Sequence, residues 1–206
     1  MSGRIALFRW TPALAALPGF PADHLPHWNL APGANLLMLR QGESAGSHQV
    51  ARARWGLTPA WLTDLSRTPA HARSETLADQ PMFREAFRER RCLVPANGFY
   101  EWRGARKRPY WITGEASILQ LAAIWEAYPV GEILYLSLAL VTQAAADLRR
   151  PLLLDDAEQQ QWLDPQSGDA ALRGLLIKPP TALRERALAG IVNDPKVDAP
   201  ECLTPA

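Results

Sequence analysis

A chain of 206 residues, 48 % hydrophobic and 21 % charged, has the size and composition of one globular domain with a sizeable core. No run approaches the roughly 18 apolar residues of a membrane span, and no continuous apolar stretch with a small-residue cleavage site accompanies Arg4 and Arg9, which argues against a membrane or secreted protein. The net charge of +1 hides an asymmetry: residues 1–111 carry 15 Lys/Arg against 8 Asp/Glu, and residues 112–206 carry 7 against 13.

Taken in chain order, the predicted elements are short. Eighteen prolines and thirteen glycines break the sequence into pieces that favour strands and turns over a helical bundle. Ile5–Trp10 reads as a first strand. Asn35–Arg40 reads as a second, its run Leu36-Leu37-Met38-Leu39 suggesting burial on both faces. Ala51–Leu57 is a third, ended by Thr58-Pro59. Met82–Arg91 has helical spacing, with Phe83, Ala86 and Phe87 on one face and arginines on the other. Arg91–Val94 and Phe99–Trp102 read as strands of a hairpin around Pro95-Ala96-Asn97-Gly98, because an Asn-Gly pair suits a tight turn. Arg103-Gly104-Ala105-Arg106-Lys107-Arg108 reads as a solvated turn. Tyr110–Ile112, Ser117–Ala122 and Ile133–Thr142 complete the strands. Asp155–Trp162 opens with an acidic pair suited to a helix N-terminus, and Thr181–Ala189 is expected to be a further helix. The expected class is α+β: a strand-dominated, mostly antiparallel twisted or barrel-like sheet with a few peripheral helices, in a single domain over residues 1–206.

Cys92 and Cys202 lie far apart and make neither a disulfide framework nor a metal motif, so two buried free thiols and a cytoplasmic setting are expected. No phosphate-cradling loop and no metal cluster occurs, so no cofactor is assigned. Arginine supplies 19 of the 22 basic residues, and six of the eight tryptophans fall in residues 1–111. Guanidinium forks suit phosphates, and aromatic faces suit unpaired bases. Codon usage and core packing explain the same counts equally well.

A serine at position 2 permits removal of the initiator methionine, which would free the Ser2 α-amine. Such an amine has a pKa of about 7.7–8.0, so a fraction is neutral and nucleophilic at pH 7 and attacks an aldehyde to give an imine. Met-Ser is also simply a common way for a chain to begin.

The most distinctive block runs His71-Ala72-Arg73-Ser74-Glu75-Thr76, then Pro81-Met82-Phe83-Arg84, then Arg90 through Trp102 in the order RRCLVPANGFYEW. With Gly3-Arg4, Trp28-Asn29-Leu30-Ala31-Pro32, Trp55-Gly56-Leu57-Thr58-Pro59-Ala60-Trp61, Ala123-Ile124-Trp125-Glu126 and the terminal Val192-Asn193 to Glu201, it resembles the SOS-response-associated peptidase family of abasic-site processing proteins. The resemblance spans essentially the whole chain, in order.

Several things follow from the resemblance. The family exposes a cysteine at the position of Ser2; its amine and thiol capture the aldehyde of an abasic site in single-stranded DNA as a thiazolidine, and the same cysteine is implicated in trimming the protein's own N-terminus. With Ser2 the ring closed would be an oxazolidine, which reverses far more readily. His71 stands where the family has asparagine. Asp147, in Asp147-Leu148-Arg149-Arg150-Pro151, stands where it has the histidine of a histidine-x-arginine-methionine-proline segment. Glu101 keeps its family identity and is expected to shuttle protons, with His71 as a partial substitute for the missing histidine. An ordinary hydrogen-bonded histidine is an equal reading of His71. Asp147 is acceptor-only when ionised.

Arg4, Arg73, Arg84 and Arg149 are expected to hold phosphates, with Ser74 beside Arg73. Asn29 and Pro32 are expected to line the approach to the terminus, Trp55 to offer a stacking face, and Met82 and Phe83 to wedge between bases at a single-to-double-strand junction. Core burial is an equal reading of Trp55 and Phe83. Three functions stay open: a protein that reacts with abasic sites through the Ser2 amine, with lyase chemistry; a non-covalent binder of single-stranded or junction DNA; and a self-processing peptidase. The expected partner is DNA with abasic sites, with no membrane partner, and the protein is expected to be a monomer associated with the nucleoid when bound.

Overall fold

The computed structural model describes residues 3–44 and 46–206. Among these the strands are β1 (Arg4–Leu7), β2 (His27–Leu30), β3 (Asn35–Gln41), β4 (His48–Trp55), β5 (His71–Arg73) and β6 (Arg91–Ala96), followed by β7 (Gly98–Arg103), β8 (Arg108–Thr113), β9 (Leu119–Val130), β10 (Ile133–Ala145), β11 (Leu148–Pro151) and β12 (Arg184–Ala187). The helices are α1 (Pro12–Ala15), α2 (Arg84–Glu89), α3 (Asp156–Leu163) and α4 (Asp169–Leu176), with 3-10 turns at Gly190–Asn193 and Pro200–Leu203. Among the described residues no helix is long and apolar enough to cross a membrane.

The strands form two sheets, one ordered β12-β8-β7-β1-β2 and the other β11-β10-β4-β3-β6-β9. In the second, β9 pairs antiparallel with β6 and with β10, and β10 meets β4 in a short parallel pairing, so five strands close on themselves. Closure removes most open edges, and every residue of β6 is buried because neighbours flank it on both sides. The architecture is the expected strand-dominated α+β class. Apolar side chains including Ile5, Met38, Trp55, Phe99, Ile112 and Leu140 form one core cluster. A second, with Phe87, Leu93, Trp162 and Leu176, lies under α2, α3 and α4. Asp155 and Glu158 make a reciprocal capping box at the start of α3, which the acidic pair in the sequence foretold.

Two expected elements are corrected. The hairpin around Asn97-Gly98 does not form: β6 and β7 belong to different sheets. Asn97 is buried and ties them at the crossing. Its carbonyl oxygen accepts from Phe8 N (2.8 Å) and Arg9 N (3.0 Å), and its amide donates to Arg9 O (3.0 Å) and Ser117 O (2.9 Å). Those bonds also take the backbone donors that would have carried β1 on to Trp10, so it stops at Leu7. Gly98 follows because a Cβ there would lie 2.5 Å from both Ile112 O and the Trp111 ring. The helix expected at Thr181–Ala189 is instead the edge strand β12. Pro179-Pro180 disfavours helix before it, and Arg184-Glu185-Arg186 alternates faces while pairing with β8. The turn expected from Arg103 to Arg108 joins β7 to β8, with Gly104 and Lys107 at positive φ.

Candidate functional site

Glu101 sits on β7 with its side chain 3 % exposed. A carboxylate so deeply placed needs partners, and among the described residues Arg103 and Arg150 supply them. Arg103 Nη2 donates to it at 2.5 Å and Arg150 Nε at 2.7 Å. Both arginines also bind Glu185 of β12, Arg103 at 2.6 and 2.7 Å and Arg150 at 2.6 Å. The four side chains close a ring of ion pairs that joins the two sheets. Bonds from Arg103, then Arg150, hold the Glu185 carboxyl down to about 2. The ring borders a cleft of about 700 Å³ whose described walls include Trp102, Arg103, Asp147, Arg150, Thr181 and Glu185. Asp147 is exposed at the β10–β11 turn, where Ala146 adopts a positive φ. Asp147 therefore lines the cleft, while Glu101 lies behind it, screened by Arg103 and Arg150.

The start of the first strand is held beside the same place. Arg4 pairs with Tyr100, the residue before Glu101. Its guanidinium lies 5.2 Å over the Trp102 ring and donates to Asn29 Oδ1 (3.2 Å), to Val192 O and to Asn193 O (3.4 Å). Trp102 Nε1 in turn donates to Asn193 Oδ1 at 2.7 Å. Asn29 is buried, and its amide donates to Val197 O (2.7 Å) and Asp194 O (3.1 Å), while Asp198 accepts from His27, Trp28 N and Asn29 N. Arg4 and Asn29, expected at the DNA, thus clamp the 190–198 segment onto β1 and β2. Pro32 is exposed in the turn between β2 and β3. Ser2 lies outside the described residues.

His71, on β5, meets the Trp55 ring edge-on at 5.5 Å. Trp55 itself is fully buried and donates from Nε1 to Ala70 O at 2.8 Å. A closed-in indole has no face for a base, so the expected stacking role gives way to packing beside His71. Phe83 is likewise in the core at 7 % exposure. Its expected part in a wedge is corrected accordingly, and half-buried Met82 shares with it a shallow cleft of about 430 Å³. Arg73 and Arg84 are exposed and make no ion pair among the described residues. Ser74 is buried, its N–H bonded to Thr142 O. Arg149 is held by Glu75 at 2.7 and 3.1 Å and by Thr142 O, and its bonds keep the Glu75 carboxyl below the usual range.

Arg103, Arg150, Glu185, Trp102 and Asn193 escaped the sequence reading as site residues. Arg103 was hidden in a charge run, and Glu185 in a segment read as helix. The alternation Arg184-Glu185-Arg186 was the available signal for β12. Among the described residues no group of three His, Cys, Asp or Glu side chains is placed to hold a metal ion. Cys92 and Cys202 are free and buried, and burial pushes both thiols up.

The family model described as SOS response associated peptidase (SRAP) matches residues 1–195. The abasic site processing protein YoqW of Bacillus subtilis is 30 % identical over 196 residues, covering 88 % of this chain and 87 % of that protein. The abasic site processing protein HMCES of Gallus gallus is 27 % identical over 203 residues, covering 81 % of this chain and 60 % of that protein. Among solved structures, a protein from Bacteroides thetaiotaomicron superposes with a TM-score of 0.85 at 21 % identity, covering 98 % of this chain and 99 % of that one, a likeness of fold. A phage-related protein from Bordetella bronchiseptica superposes with a TM-score of 0.71 at 27 % identity, over 90 % of this chain and 93 % of that one.

Proposed function

The chain belongs to the SOS response associated peptidase (SRAP) family, and from that premise we propose that it processes abasic sites in single-stranded or junction DNA, reacting with the sugar aldehyde through the Ser2 α-amine. The observation that carries this reading is the pairing of Arg4 with Tyr100 beside Glu101. Two residues of chain reach at most about 7 Å, which supports a reaction two positions before Arg4 taking place within reach of Glu101.

The chemistry is that of a weakly basic amine. In its neutral form it adds to the aldehyde carbon of the ring-opened sugar, and the resulting carbinolamine loses water to give an imine. The imine acidifies the adjacent sugar position, which opens the way to β-elimination of the 3′ phosphate. The Ser2 hydroxyl adds back to the imine only reversibly, so a stable crosslink does not accumulate. The exposed guanidiniums of Arg73 and Arg84 supply sequence-independent contacts to the strand. Self-trimming as a peptidase is the weaker reading, since it relies on a nucleophile that Ser2 replaces.

A second reading is favoured by one observation. Glu101 is bonded by two guanidiniums, an arrangement suited to structure as much as to proton transfer. On that reading the protein grips damaged DNA without covalent chemistry. Incubation with a single-stranded oligonucleotide bearing one abasic site, with and without borohydride, separates the two. The amine reading expects a denaturation-resistant band only with borohydride, forming faster as the pH rises from 6 to 8. Binding with no trapped band supports the non-covalent reading.

A further inference from the structure

Carboxylate and phosphate dock on the same guanidinium fork, so a carboxylate seated between two forks occupies the place a phosphate would take. Glu185 is such a group. It stands on β12, an edge strand of four residues paired on one side only, and its side chain is 34 % exposed. Arg103 presents both terminal nitrogens to it, at 2.6 and 2.7 Å, and Arg150 presents a third at 2.6 Å. Glu101 holds the same two arginines from the buried side, so their orientation does not depend on Glu185. The four charges cancel. Without the Glu185 carboxylate, the remaining three leave one net positive charge at the cleft, and Arg106, Lys107 and Arg108, where the chain passes from β7 into β8, are exposed.

We infer that Arg103 and Arg150 form a preformed phosphate cradle, occupied by Glu185 in the free protein, and that a backbone phosphate of the bound DNA strand displaces this internal anion. The inference rests on the reading that the protein works on DNA strands. It assigns Glu185 the part of a resident competitor: the strand must displace it, and strands too short to reach the cleft leave it in place.

The test is a salt titration of binding to a labelled, undamaged single-stranded oligonucleotide, using the full chain, Glu185→Gln, Glu132→Gln, and Glu185→Gln combined with Arg150→Gln. Glutamine keeps the shape of the side chain and removes its charge. Glu185→Gln is expected to bind several-fold more tightly at low salt, with a log–log salt slope steeper by up to about 0.7, because in the unmodified chain the phosphate merely exchanges for a released carboxylate, whereas in the variant it neutralises a free positive charge. Glu132→Gln makes the same change in net charge on the exposed β9–β10 turn and is expected to leave the slope unchanged. Adding Arg150→Gln is expected to remove the gain, with thermal melts confirming that the double variant is folded. Inorganic phosphate titrated by calorimetry into the same proteins separates a free anion from a strand. Phosphate binding by Glu185→Gln that needs Arg150, with no variant binding the strand, upholds the cradle and overturns only the DNA reading. Equal salt slopes for the unmodified chain and Glu185→Gln overturn the inference while leaving the DNA reading intact. So does a gain that survives loss of Arg150.

Discussion

Arg73, Arg84 and Arg88, along β5 and α2, are exposed and have no ion pair among the described residues, whereas Arg103, Arg149 and Arg150, around the β10–β11 turn, each lie within 2.7 Å of a carboxylate oxygen. The residue type is the same and the availability is opposite. A free guanidinium adds to the field that draws in a polyanion and releases counterions when it meets one. A guanidinium already bridging two carboxylates takes up an outside anion only by displacing one of them, and its removal strands a charge in a place that water does not reach. Arginine count alone therefore says little about where DNA is gripped.

The sharpest way to break this contrast is to remove one arginine from each set. Arg150→Gln leaves the Glu101 carboxylate buried with Arg103 as its remaining partner, and a loss of about 3 kcal/mol is expected in urea denaturation. Arg73→Ala is expected to change stability by less than about 0.5 kcal/mol. Equal costs would show that the two sets are not different in kind.

Binding should show the reverse order. Arg73→Ala and Arg84→Ala are each expected to weaken binding to a single strand and to make its log–log salt slope shallower by about 0.7. Arg149→Ala is expected to have less than half of that effect, because Glu75 already occupies its fork.

A smaller effect appears in acid. The Glu185 carboxyl is held at about 2 against an ordinary 4.5, chiefly by its bonds from Arg103. A lowered carboxyl pKa means that the unfolded chain takes up the proton first, so the stabilisation is present above pH 4.5 and is lost as pH falls through 4.5 towards 2. Glu185→Gln is expected to flatten that part of the stability profile, and Arg73→Ala to leave it unchanged. A profile unaltered by Glu185→Gln would mean that the ring of ion pairs does not hold in solution.

What could be read in the sequence followed from how local each signal was. Asn35–Arg40, the acidic start of α3 and the charged β7–β8 turn announce themselves within a few residues, and all three are present. Asn97-Gly98 carries an equally strong local signal, but the hairpin is overridden because the Asn97 side chain serves backbone groups at Arg9 and Ser117, which no local pattern reveals. The family block contains Glu101, and Asp147 lines the cleft that the arginines bound to Glu101 border. The Glu101 ring, however, needs Glu185, 84 positions further along the chain, and that meeting depends on β12 pairing with β8. Trp55 and Phe83 failed as surface groups for a similar reason: an aromatic in a motif reads the same whether its neighbours are bases or leucines.

The chemistry at the start of the chain is tested most directly by digesting the borohydride-trapped adduct with trypsin and locating the modification by mass spectrometry. The expected result is a sugar remnant on the N-terminal peptide Ser2-Gly3-Arg4, with Met1 absent. A retained Met1, an acetylated Ser2, or an adduct carried by a lysine such as Lys107 would contradict the Ser2 amine as the reacting group.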